Sequence, residues 1–237
     1  MTARRATSLT DGFPRVPKDT FRSRIADSLR SAILGGDIAP GSQLVETTLA
    51  AQFGVSRGPL REAIRQLIEE GILEAVPYTG TYVIDISVKD VDEIYSIRRN
   101  LETFAFEQLW DRRDEGFRTE LRRRHAALTA TIDAGDDKTS ILAELSFHGT
   151  VYEATGHSFL LTIWHGLRGR LQLYWAAHHR AHGLRGPRRD GHDDYLRLAL
   201  GDDLAAMRGE IESHMRRGAE QTKAFLDGRE RLPERRP

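Results

Sequence analysis

Through the first third of the chain, apolar residues recur at four-residue steps. Phe21, Ile25, Leu29 and Ile33 make one stripe that ends at Gly35-Gly36, which predicts an amphipathic helix. After the turn from Asp37 to Gly41, a short second helix is expected around Glu46 to Phe53, closed by Gly54. Ser56 fits the N-cap of a third helix, and Pro59 sits in its first turn, where a missing N–H has no intrahelical partner to lose. That helix gathers Leu60, Ile64, Leu67 and Ile68 on a buried face and ends at Gly71. The period then shortens. Ile72 to Val76 and Thr81 to Ile86 are rich in β-branched residues and flank Pro77-Tyr-Thr-Gly80, so they predict a hairpin. Three helices and a small hairpin make a winged helix-turn-helix over residues 19–86.

From Ser87 onward no further strand pattern occurs. Amphipathic helical patterns run over about 89–113, 116–134, 138–156, 158–182, 189–200 and 202–226, separated by Gly and Asp clusters such as Asp133-Ala-Gly-Asp-Asp137 and Gly201-Asp-Asp203. The fold class is therefore mainly α: a winged helix-turn-helix followed by an all-α six-helix bundle over residues 87–228, with room for its own core. Residues 1–18 lack apolar periodicity and read as a disordered arm, and residues 229–237 as a flexible tail.

Composition narrows the chemistry. The chain has 237 residues, 39% hydrophobic and 30% charged, with no apolar run near the ~18–20 residues of a membrane span. No apolar stretch follows the basic residues near Met1, so neither a membrane anchor nor a signal peptide is expected, and the reading is cytoplasmic. With no cysteine, disulfides, thiolate zinc fingers and cysteine nucleophiles are excluded, and any metal must be held by His, Asp and Glu. The formal net charge is zero, so binding to nucleic acid must rest on local clustering. Such a cluster exists. Arg57, Arg61 and Arg65 recur at four-residue spacing on the third helix, away from its apolar face, where each guanidinium can fork onto guanine or phosphate. Gly58 would let the helix start approach a DNA backbone, and Thr79-Gly80 at the hairpin tip is small enough for a minor groove. A solvated arginine face is the plain alternative.

The run Gly41-Ser-Gln-Leu-Val-Glu46, then Leu49-Ala, then Phe53-Gly-Val-Ser-Arg-Gly-Pro-Leu-Arg-Glu-Ala-Ile-Arg65, with Glu70-Gly71 and Gly80, resembles the GntR family of regulators. The resemblance covers residues 19–86. It implies that Arg57, Arg61 and the wing glycine Gly80 contact operator DNA, with Ser56, Gly58, Arg65 and Thr79 on the same surface. Gly58 stands where a threonine is usual, and Thr47 where the fatty-acid regulator has a DNA-contacting arginine, which bears on the operator recognised.

All nine histidines lie beyond residue 120. His125, His165, His178, His179 and His182 neighbour arginines or helix ends, where solvated or capping roles are the default. Glu144 and His148 are four apart, so on a helix they share a face with Cβ atoms about 5–6 Å apart. If the fifth and sixth bundle helices pack antiparallel, His192 and His214 reach the same level. Three imidazoles and a carboxylate would suit Zn²⁺, Ni²⁺ or Mn²⁺ with coordination positions left open. The spacing fits an ordinary satisfied polar core equally.

The segments Glu144-Leu-Ser-Phe-His148, His192 before an apolar helix, and Glu212-Ser-His214-Met are similar to the FCD ligand-binding domain of the FadR subfamily, and six helices favour its VanR-like branch. The resemblance implies a metal on Glu144, His148, His192 and His214, with Glu144 in place of the usual Asp. It also implies that His157, where Asn is common, lines the pocket. Asp92-Glu-Ile-Tyr-Ser-Ile-Arg98-Arg-Asn-Leu-Glu102 resembles the first FCD helix, whose matching arginine points into the cavity; Arg98 would clamp a carboxylate effector. From pattern alone, Arg98 pairing with Glu102 on the surface fits as well.

The expectation is a DNA-binding regulator, a repressor acting as a homodimer on a palindromic operator, gated by a small organic acid at a metal-containing site. A metal-dependent hydrolase is the second possibility, but all four polar residues are used as ligands and no separate base is evident. A structural DNA-binding protein with an inert helical dimerisation domain is the third.

Overall fold

The computed structural model describes residues 21–182 and 187–230. The expected arm over residues 1–18 lies outside the described residues, as do positions 231–237 of the expected tail. Helix α1 (Phe21–Gly35) buries Ile25, Leu29 and Ile33, whereas Phe21, the first member of the predicted stripe, is exposed. α2 (Glu46–Phe53) ends on Gly54 in the left-handed conformation, as its sequence requires. α3 (Arg57–Glu69) buries Leu60, Ile64 and Leu67, with Ile68 partly buried against them. α1 packs on α3.

The wing has one strand more than the predicted pair. β1 (Gln43–Leu44) pairs antiparallel with β3 (Gly80–Val83), which also pairs antiparallel with β2 (Leu73–Val76), in the order β1-β3-β2. Two residues are too few to show alternation, so β1 left no pattern in the sequence. Leu44, Leu73 and Val83 are buried in the core of this domain.

Ser87 ends the wing domain and starts the second. Its hydroxyl accepts from Asp90 N (3.1 Å) and the Asp90 carboxylate accepts from Ser87 N (3.1 Å), a capping box at the start of α4 (Val88–Leu109). α5 (Glu115–Asp133), α6 (Asp137–Ala154), α7 (Ser158–His182), α8 (Asp193–Leu200) and α9 (Leu204–Glu230) complete the bundle among the described residues. α9 continues through Arg229–Glu230, so the helix outlasts the point where a flexible tail was expected. α4 lies along α9, α5 along α6, and α8 on α9.

α7 carries the joint between the domains. It packs on α6, α9 and α4 of its own domain and on α1 of the other. A β-carbon at Gly169 would lie 1.7 Å from the Glu70 carbonyl oxygen, and one at Gly71 would lie 2.8 Å from the Gly166 carbonyl oxygen. The end of α3 therefore meets α7 backbone to backbone, at a distance only glycine permits. Within the wing domain, Arg30 of α1 ties α1 to the end of α3 with two bonds to Glu70, Nε to Oε2 (2.9 Å) and Nη2 to Oε1 (2.7 Å).

Candidate functional site

Two groups of polar residues stand out, one on the surface of the wing domain and one inside the helical domain. On α3, Arg57, Arg61 and Arg65 are all exposed, because the apolar residues between them turn inward. Arg61 is not free: its Nε donates to Glu46 Oε2 at 2.8 Å, a bridge from α3 to α2. Ser56 holds the N-cap position in an extended conformation, yet its side chain makes no capping hydrogen bond, contrary to the expected role. No protein atom lies within 4 Å of where a Gly58 β-carbon would be, so nothing in the fold demands a glycine there.

At the wing tip, Thr79 N donates to Val76 O (3.2 Å) and Thr79 O accepts from Gln43 Nε2 (2.8 Å). Gly80 has φ 133°, and a β-carbon would lie 2.8 Å from Gln43 Nε2, so this glycine is required by the turn itself. Tyr78, which sequence reasoning passed over, holds φ 64° and projects fully into solvent. A bulky aromatic in left-handed backbone at an exposed tip is an uncommon combination.

Inside the helical domain, α6 supplies Glu144 and His148, the residue before α8 supplies His192, and α9 supplies His214. One donor atom from each lies within 4.8 Å of the others. His148 Nε2 and His192 Nε2 are 3.2 Å apart, and His192 Nε2 is 3.3 Å from Glu144 Oε1. The fifth and sixth bundle helices do bring His192 and His214 to one level, with ring centres 4.8 Å apart.

A carboxylate behind the cluster fixes one ring. Glu102 of α4, fully buried, has Oε1 3.1 Å from His148 Nδ1. A carboxylate only accepts, so Nδ1 carries the proton and the Nε2 lone pair faces the other donors. Glu102 also accepts from Tyr195 (2.6 Å) and Tyr152 (3.2 Å). Burial first, and then the nearby Arg98 and His192, hold His148 well below the ordinary imidazole value; burial followed by His192 and His148 does the same to His214. Both rings are thus in the neutral, ligating form at pH 7. Three imidazoles and one carboxylate, with His192 Nε2 converging on both His148 Nε2 and Glu144 Oε1, form a set that fits a divalent cation.

Arg98 is neither on the surface nor simply paired. It is 1% exposed, with Nε 3.4 Å from Glu102 Oε2, and its Nε and Nη2 have no hydrogen-bond partner. Trp164 and Trp175 flank its guanidinium at 5.8 and 5.6 Å from the ring centres. Burial works against the cation, but Glu102 and the buried tyrosines outweigh it, so Arg98 stays charged. Arg98, Glu144, His192 and His214 line one cavity of about 840 Å³.

His157 lies elsewhere. It is exposed ahead of α7, its Nδ1 accepts from Leu160 N (3.3 Å), and it edges onto Phe104, so it does not line the cavity as expected. His179 corrects the opposite way: expected to be solvated or capping, it is buried on α7 and lines the cavity. The side chains of His178 and His182 lie outside the described residues. Tyr152 and Tyr195 escaped sequence reasoning, and Glu102, expected only as a surface partner of Arg98, is instead buried behind His148.

The chain is similar to known proteins along both domains. Residues 21–83 match the family described as bacterial regulatory proteins, gntR family, and residues 93–217 match the FCD domain. The chain is 36% identical over 151 residues to the gluconate operon transcriptional repressor of Bacillus subtilis, covering 64% of this chain and 62% of that protein. It is 31% identical over 153 residues to the probable D-xylose utilization operon transcriptional repressor of Paenarthrobacter nicotinovorans, covering 65% of this chain and 67% of that protein. The chain thus spans less than two thirds of the length of the gluconate operon repressor it matches. The fold of E. coli McbR/YncC superposes with a TM-score of 0.71 at 20% identity, covering 88% of this chain and 99% of the other. These families and relatives are transcription regulators rather than enzymes, which leaves the hydrolase alternative without support. The chain belongs to the GntR family of bacterial regulatory proteins, with an FCD domain as its C-terminal half.

Proposed function

We propose that this protein is a transcriptional repressor whose hold on its operator is set by a small carboxylate bound beside a divalent metal in the helical domain. The observation that carries the reading is Arg98, a buried cation with two unsatisfied N–H positions, lining the same cavity as Glu144, His192 and His214. A guanidinium whose Nε and Nη2 hydrogens are left without hydrogen bonds matches a carboxylate. A divalent ion held by Glu144, His148, His192 and His214 would supply open coordination positions for the same acid, and Zn²⁺, Ni²⁺ and Mn²⁺ all suit this donor set. Glu102 keeps the His148 tautomer and Arg98 in place, while the two tryptophans exclude water around the guanidinium.

On the DNA side, Arg57, Arg61 and Arg65 read the major groove, with Ser56 and Gly58 at the helix start and Thr79, Gly80 and the exposed Tyr78 at the wing against the neighbouring backbone. Arg61 must exchange Glu46 for a base or phosphate on binding. One wing domain reads only a few base pairs, so a homodimer on a palindrome is the working form. Among the described residues no helix is long and apolar enough to cross a membrane, and action on DNA fits a cytoplasmic protein.

Two of the relatives are named for the gluconate operon, so gluconate, a hydroxylated carboxylate, heads the ligand screen. Metal-loaded protein is expected to gain thermal stability with gluconate or a related acid, and Arg98→Ala to lose that gain. If the best ligands are uncharged and indifferent to Arg98, the reading fails.

A further inference from the structure

A second cavity, of about 770 Å³, lies at the seam between the domains. Its walls come from both: α1 and the end of α3 on one side, α6 and α7 on the other. Leu34, Ile141, Leu142 and Ala176 give it an apolar interior, and Leu142 is 45% exposed on an otherwise well-buried helix. The size is that of a small-molecule site rather than a packing defect.

The charges around it are not equivalent. Arg30 is fully committed, with Nη1 on Asp27 and the other nitrogens on Glu70. Arg168 is half-buried in the wall and makes no hydrogen bond or ion pair among the described residues; Glu153 and Glu70 act on it only at longer range. Its burial disfavours the cation by more than Glu153 and Glu70 restore, and Arg124 adds repulsion. Lys138 and His165 stand exposed at the rim, so the uncommitted side chains there are basic.

We propose that this seam is a second ligand site, distinct from the Arg98 cavity, that takes an amphipathic carboxylate: an aliphatic chain against Leu34, Ile141, Leu142 and Ala176, with its anionic end on Arg168. The charge complementarity is one-sided, because the acids on the wall, Asp27 and Glu70, already face Arg30. A ligand touching α1 and α7 together binds one relative placement of the DNA-binding and helical domains better than another, and so adds a second input on the operator.

Titration calorimetry on the full chain tests this with three probes: octanoate, octanol and acetate. Octanoate should bind about tenfold or more tightly than either of the others, since only it satisfies both the apolar wall and the cation. Arg168→Ala should reduce octanoate to the level of octanol, Arg168→Lys should restore most of the difference, and Leu142→Asp, at an exposed position, should weaken octanoate about tenfold or more. Octanoate binding should be the same with and without a metal chelator, since the Glu144, His148, His192 and His214 cluster takes no part in it. Absence of saturable octanoate binding would overturn the proposal, as would octanol binding equally well, indifference to both Arg168→Ala and Leu142→Asp, or loss of octanoate binding on adding a metal chelator.

Discussion

Each half of the molecule contains an arginine–glutamate pair, and the two behave in opposite ways. Arg61 and Glu46 meet at 2.8 Å on the surface, with side chains 57% and 31% exposed. Arg98 and Glu102 are further apart, at 3.4 Å, but are 1% and 0% exposed. The shorter pair is the more dispensable. Water already solvates both of its ions, so breaking it costs little and leaves Arg61 able to make the proposed contact to DNA. In the longer pair, removing one partner strands a charge in a medium that cannot solvate it. Burial rather than distance separates a contact that can be exchanged from one that holds a site in shape.

The largest effect expected is therefore on the buried side. Glu102→Ala should destabilise the protein by about 3–5 kcal/mol in denaturant unfolding, because Arg98 loses its counter-charge and Tyr152, Tyr195 and His148 lose an acceptor. An effect under ~1 kcal/mol would place Arg98 among surface-like pairs and remove the contrast. Next comes the seam between the halves. Gly169→Ala puts a β-carbon where the Glu70 carbonyl lies, and overpacking of this kind costs about 1–3 kcal/mol or more. The expected reading is two separate thermal transitions in place of one, with cleavage by a protease near Ser87.

Much of this contrast was legible beforehand, and the reasons differ between the halves. In the wing domain function sits outside an apolar core, so the spacing that identifies Leu60, Ile64 and Leu67 as buried also identifies Arg57, Arg61 and Arg65 as outward. In the helical domain the functional residues are in the core, and the spacing of Glu144 and His148 set only their common face. Meeting His192 and His214 depends on how α6, α8 and α9 pack, which no local pattern encodes. Arg98 and Glu102 are one helical turn apart whether the pair is wet or dry, so a surface pair fitted as well. His179 was misplaced because its sequence neighbourhood does not tell which side of α7 faces the cavity, and His157 because the resemblance that put it in the pocket does not fix where the turn ahead of α7 lies. β1 was lost because its partner strand is almost forty residues away.

On the exposed side, Arg61→Ala should weaken operator binding by about 1–3 kcal/mol at fixed salt while changing folding stability by less than about 1 kcal/mol. Equal binding by Arg57→Ala, Arg61→Ala and wild type would remove α3 as the recognition element. The smallest effect lies between the two extremes, at Glu120. Hydrogen bonds from Arg123 and Arg124 hold its carboxyl at about 2, below the ordinary value. A carboxyl depressed in the folded state adds stability above its unfolded value of about 4.3, and that stability fades as pH falls from there toward 2. Because Glu120 is a third exposed, the contribution should stay below ~1 kcal/mol, and Glu120→Gln should flatten the stability profile between pH 5 and about 2 by no more than that.

The central claim is that a carboxylate seated at Arg98 and the Glu144, His148, His192 and His214 cluster controls the operator. The direct measurement is fluorescence anisotropy of a palindromic operator, selected from a random pool, bound by metal-loaded protein with and without the best acid from the thermal screen. Wild type should lose about tenfold or more in operator affinity on adding the acid, while Arg98→Ala and His148→Ala bind the operator normally and ignore the acid. An acid that shifts all three proteins equally, or a wild type whose operator affinity no acid changes, would contradict the account.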